Sequence, residues 1–159
     1  MLKIILAIIA FVLSFTLVAQ NKSEEKAIKN VIETFFDGLH NGDSTLIKTT
    51  LHNDIKIQTT YTNDKNQNIL KLETKKALLT NIANKKPETI YQEKLLSFDI
   101  KIDGNLASVW TPYEFYLNEK FSHCGANSFQ LFNNNGNWEI IYLVDMRRRE
   151  NCKAVNEEK

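Results

Sequence analysis

The sequence is poor in the parts from which common catalytic centres are built. It holds only three histidines. His52 and Asp54 offer two metal ligands with no third partner in view, so a zinc or iron site is not expected. No phosphate-binding glycine loop, nucleophile elbow or dinucleotide fingerprint occurs, and no cofactor is expected. An excess of one charge is also missing. The 20 Lys and Arg residues face 19 Asp and Glu, for a formal net charge of +1, which argues against a nucleic-acid footprint. Internal repeats and interdomain linkers are absent.

One long apolar run is present, Ile4 to Ala19, preceded by Lys3. It is shorter than the roughly 20 residues a spanning helix needs. A basic start, a short apolar segment and a small residue before polar sequence describe a secretory signal peptide. Residues 1–19 are therefore expected to be removed after Ala19, leaving residues 20–159 as a single exported domain, periplasmic or extracellular, with no stable membrane span. An uncleaved anchor is the rival reading. Without Lys3 the formal charge falls from +1 to zero. Cys124 and Cys152 are the only cysteines, and in an exported chain such a pair is a disulfide candidate.

After the leader, Ser23-Glu24-Glu25 has the form of a helix start. Ala27, Ile28, Val31, Ile32, Phe35, Phe36 and Leu39 then form one apolar stripe. His40-Asn41-Gly42 ends that helix, and Asp43 or Ser44 caps a short second one through Leu51. Ile55–Tyr61 and Ile69–Leu72 suggest strands, Thr74–Asn84 a helix stopped by Pro87. From Tyr91 onward the expected strands are 91–102, 106–117, 121–132 and 138–146. Helices followed by an antiparallel meander give an α+β class.

Asn135-Gly136 is a strong two-residue hairpin signal. It sets Leu131 against Ile140 and Phe129 against Tyr142, with Trp138 and Val144 on the same inner face. Carried back, this register puts His123 and Asn127 inside and Cys124 outside. A second two-residue turn at Asn118-Glu119 would set Glu114 opposite His123, with Trp110 and Tyr116 sharing their face. A carboxylate beside an imidazole is the leading acid/base candidate. A ligand contact and a structural polar pair are the alternatives. Val109, Tyr113, Phe115, Leu117, Phe132, Ile141 and Leu143 would then form an apolar outer face, which a homodimer partner could cover.

The long helix, the short helix after His40-Asn41-Gly42-Asp43, and a sheet ending in Trp138-x-Ile140 resemble the nuclear-transport-factor-2-like (cystatin-like, SnoaL-like) superfamily. From Tyr113 onward, Glu114, Phe115, His123, Cys124, Gly125, Phe129, Leu131, Trp138, Asp145, Arg147, Arg148 and Cys152 are similar to the lumazine-binding-like group of exported bacterial proteins. The resemblance implies a cone-shaped fold, N-terminal helices on a curved antiparallel sheet, with a pocket between the long helix and the concave sheet.

Phe35, Trp110, Tyr116, Asn127 and Tyr142 are candidate ligand contacts in that pocket, first of all as core. Alternation sends Arg148 toward the His123 face, where it could hold a carboxylate or phosphate. A Cys124–His123 nucleophile is disfavoured, because sequence neighbours in a strand point to opposite faces. The expected function is binding of a small apolar or aromatic molecule. A cofactor-independent isomerase, dehydratase or cyclase using His123 with Glu114 is the alternative, and a protein-interaction domain is a third.

Overall fold

The computed structural model describes the backbone of residues 2–152 and the side chains of residues 22–152. The expected leader, residues 1–19, has its side chains outside that range. Helix α1 runs over Leu2–Asn41, so Ser23 lies within a helix rather than capping one. Gly42 (φ +70°) turns the chain left-handed, and the Asp43 N–H closes back on the Gly38 carbonyl at 2.8 Å. Asp43 then caps α2 (Ser44–Thr50), its carboxylate accepting from the Leu46 N–H at 2.9 Å.

Strands β1 (Leu51–Thr62) and β2 (Asn68–Glu73) form a hairpin, followed by α3 (Lys75–Ala83). The strand expected over 91–102 is two strands, β3 (Tyr91–Leu95) and β4 (Asp99–Asp103). Both pair with β5 (Leu106–Leu117), on either side of Pro112. The Pro112 carbonyl accepts from the Leu96 N–H at 2.9 Å, so Pro112 presents its backbone to this side. Proline has no N–H to return the bond, and the ladder breaks there. Residues 96–98 leave the sheet as a result, and they wall the cleft described below.

Strands β6 (Lys120–Asn134) and β7 (Asn137–Arg148) complete a seven-stranded sheet in the order β2-β1-β7-β6-β5-β3, with β4 beside β5. The sheet is mixed rather than wholly antiparallel, because β1 and β7 pair in parallel. Helices on one side of this curved sheet give the expected α+β class.

The core lies between α1 and the inner sheet face. Ile28, Ile32, Phe35 and Phe36 are buried there against Val109, Phe129, Leu131 and Ile140. Phe129 meets Phe35 and Phe36 edge-on, with centroids 6.3 and 6.2 Å apart. Each such ring stabilises the fold by roughly 1.5–3 kcal/mol through burial alone.

Both two-residue turns form, with positive φ at Asn118, Glu119, Asn135 and Gly136. Beyond each turn, however, a bulge resets the register. In β7 Ile141 is the extra residue: Leu131 still faces Ile140, but Phe129 faces Leu143 and Asn127 faces Asp145. In β6 Ser122 is the extra residue: Tyr116 faces Phe121, but Phe115, not Glu114, faces His123. One added residue exchanges the two faces of everything that follows.

Candidate functional site

The bulges correct several expectations. Glu114 pairs with Cys124 and lies on the face opposite His123, so the Glu114–His123 pair does not form. Its carboxylate accepts instead from the Tyr116 hydroxyl at 2.9 Å. Trp110 stands on the outer face and is 51% exposed. Tyr142 is also outside, bonded to Gln58. Arg148 lies outside beside Cys124, and the inward arginine is Arg147. Val109, Tyr113, Phe115 and Leu143 turn inward, so the outer face is less apolar than expected. Phe35 is a core residue, 4% exposed, and its neighbour Phe36 reaches the cleft. The Cys124–Cys152 disulfide is formed on the outer face.

What the register brings together is a polar cluster where the inner face meets α1. A cleft of about 590 Å³ opens between α1 and the β3–β4 segment. Phe36, Asp37 and His40 line it from the helix; Glu93, Leu95 and Phe98 line it from the sheet side. The His40 Nε2 accepts from the Glu93 backbone N–H at 2.8 Å, which leaves the ring proton on Nδ1. Burial lowers the His40 pKa, favouring this neutral form.

Glu93 is the residue that sequence reasoning missed. Its Oε1 accepts from the Asn127 Nδ2 at 2.7 Å. Burial pushes its carboxyl up to about 8; the Asn127 bond works against that shift and nearby Asp145 adds to it. The available signal was alternation: Tyr91, Glu93 and Leu95 share one face of a short amphipathic strand, and a carboxyl on that face is out of place in a plain core.

Asn127 and Asp145 are cross-strand partners, and both are buried. Asp145 accepts from the Tyr113 hydroxyl at 3.2 Å and from the Arg147 Nε. Burial, with Asp145 beside it, drives the Tyr113 pKa upward and keeps the phenol protonated as a donor. Tyr113 can reach across β6 only because Gly125 lies beneath it. A Cβ on Gly125 would fall 1.7 Å from the Met146 carbonyl oxygen and 3.0 Å from the Tyr113 ring. His123 sits at the outer end of this cluster. It stacks on Phe115 (4.8 Å) and meets Tyr113 edge-on (5.8 Å). Burial, reinforced by the Arg147 charge, holds its pKa down at about 4, so the ring is neutral at physiological pH.

Residues 23–144 match the family described as "Putative lumazine-binding". The chain belongs to that family. No curated protein matches the sequence. Solved structures share the fold at low identity. A nuclear-transport-factor-2-like protein of unknown function from Shewanella baltica is 19% identical, with a TM-score of 0.57 over 79% of this chain and 94% of its own. The β subunit of a putative aromatic-ring-hydroxylating dioxygenase from Novosphingobium aromaticivorans is 12% identical, with a TM-score of 0.66 over 85% and 95%. A putative dehydratase from Streptomyces avermitilis is 8% identical, with a TM-score of 0.59 over 80% and 98%. The family is thus of the nuclear-transport-factor-2-like, cystatin-like fold. Among the described residues, no helix is long and apolar enough to cross a membrane.

Proposed function

We propose that this protein binds a small molecule with an apolar or aromatic body in the cleft between α1 and β3. The observation that carries this reading is the cleft itself: aromatic walls from Phe36 and Phe98, and one carboxyl, Glu93, tied to the sheet. Its volume lies within the range of small-molecule sites, and its lining sets Phe36, Leu95, Leu96 and Phe98 among polar and charged side chains. The family description supports a small-molecule ligand. Asn127 acts here by positioning Glu93, and His123 is a contact for a ligand that extends along the inner face. Native mass spectrometry of protein purified from its own host tests the reading. A bound species released on unfolding is expected; protein carrying nothing, and taking up nothing from host extract, would refute it.

A second reading, a cofactor-independent enzyme of isomerase, dehydratase or cyclase type, is supported by Glu93, whose raised pKa suits proton exchange near neutrality. In that reading Glu93 takes the place first given to Glu114. The disulfide supports work in an oxidising compartment, and with it the exported reading of residues 1–19. Leu106 and Trp110, 48% and 51% exposed beside Phe132 on the outer face, support a homodimer through that face. Sedimentation of the exported chain, with Trp110→Glu as the dissociating variant, tests the dimer.

A further inference from the structure

The Glu93 carboxyl has two oxygens, and among the described residues only Oε1 is hydrogen-bonded. No buried side-chain nitrogen or oxygen among the described residues lacks a hydrogen-bond partner. The unbonded Oε2 therefore keeps some accessible surface, and Glu93 is one of the residues that line the cleft. This oxygen cannot swing away freely: the Asn127 bond holds the carboxyl, and the His40 ring holds the Glu93 backbone. The helix side of the cleft sets the sign of what can approach. Asp37 and Glu33 stand there with one cation, Lys29. Lys29 is already engaged, 3.6 Å from the Glu33 carboxylate and 5.1 Å above the Phe98 ring. His40 is neutral, as its acceptor role requires. An anionic ligand would meet carboxylates without a free counter-charge. A cation would meet a fixed acceptor in a cleft that Phe36 and Phe98 also line.

Resting on the ligand-site reading above, we infer that the cleft selects a molecule carrying a protonated nitrogen on an apolar or aromatic body, its N–H bonded to the Glu93 Oε2. A charge-assisted bond of this kind is shorter and stronger than a neutral one. It also requires Glu93 to be ionised. Glu93 holds its proton to about pH 8 in the empty protein, so cation binding drives that proton into solvent. The groups facing Glu93 are Lys29, Glu33, Asp37 and His40 from α1, Tyr113 from β5, and Asp145 with Arg147 from β7. Arg147 lowers the Glu93 pKa and Asp145 raises it. Burial lowers the His40 pKa, and its acceptor bond to the Glu93 N–H favours the neutral ring. Affinity for a cation should accordingly rise with pH toward 8.

The test uses the whole exported chain and two probes of one shape, 2-phenylethylammonium and 2-phenylethanol, titrated by NMR at pH 6, 7 and 8. The ammonium keeps its proton throughout, since alkyl amines titrate near pH 10. At pH 8 it is expected to bind at least tenfold more tightly than the alcohol, shifting the resonances of Phe36, Glu93 and Phe98. Its affinity should rise more than tenfold from pH 6 to 8, with the alcohol unchanged. Glu93→Gln, which keeps the acceptor for Asn127 and removes the charge, should abolish the preference and its pH dependence. The pH series on the native protein decides the matter even if that variant does not fold. Equal binding of both probes at the cleft would overturn the cation inference and leave the ligand site standing. No cleft shift with either probe would overturn both.

Discussion

The Asn127 side-chain amide donates to the Glu93 carboxyl over 2.7 Å, joining β6 to β3 across β5, the strand between them. Among the described residues it is the one side-chain hydrogen bond that either group makes. If it fixes the carboxyl, removing one partner should cost more than removing both. Asn127→Ala should destabilise by about 1–3 kcal/mol, because the Glu93 carboxyl loses its donor. Asn127→Ala with Glu93→Ala should cost clearly less than the sum of the single changes, and denaturant melts of the four proteins measure the coupling. Additive losses would mean the two groups act independently.

The same carboxyl predicts a dependence of stability on pH. Its pKa rises from 4.5 to about 8 on folding, so the native state retains a proton that the unfolded chain releases. Stability from this source is full below pH 4.5 and is lost as pH rises toward 8. His123 acts oppositely. Its pKa falls from 6.5 to about 4, so the unfolded chain takes up the proton first, and stability is lost as pH falls from 6.5 to 4. The two effects oppose each other between 4.5 and 6.5. Above 6.5 only Glu93 remains, and stability should drop by at most about 2 kcal/mol between pH 6.5 and 8, less with solvent screening. Thermal melts should show this fall in the native protein and a flat profile in Glu93→Gln.

Gly125 carries the tightest steric demand in the sheet. Gly125→Ala would drive a methyl against the Met146 carbonyl and beneath Tyr113. The Tyr113–Asp145 bond should be lost with the local pairing of β6 and β7. A loss of more than about 2 kcal/mol is expected, in the range of overpacked core sites. A variant of native stability, with an unchanged tyrosine near-ultraviolet spectrum, would contradict the assignment.

The disulfide joins positions 28 apart. The loop-entropy relation gives a stabilisation of roughly 3–4 kcal/mol. Reduction, or Cys152→Ala, should lower the denaturation midpoint accordingly. Two titratable thiols in protein purified from its native host without reductant would show that the bridge is not made there.

The helices, the turns and most of the core were legible because each is set by local chemistry. Gly42 ends a helix, Asp43 starts the next, and Asn135-Gly136 turns a hairpin through its own backbone preferences. The bulges were not, because they lie where alternation is silent. Ile140 to Val144 is an unbroken apolar run, and no polar residue marks that Ile141 is extra. Past it, Asp145 and Arg147 exchange sides with Val144 and Arg148. Ser122, between Phe121 and His123, hides the second bulge in the same way, and Glu114 loses its imidazole. The break at Pro112 was readable in principle, since a proline in a central strand must interrupt one ladder. That break makes the cleft wall, and Glu93 beside it is the inward carboxyl that the alternation of Tyr91, Glu93 and Leu95 offered and the sequence reading passed over.

A crystal structure of the protein isolated from its native host tests the central claim most directly. The account predicts a bound molecule between Phe36 and Phe98, with a polar atom within hydrogen-bond distance of the Glu93 Oε2. A ligand seated on the outer face beside Trp110, with the α1–β3 cleft closed, would contradict it.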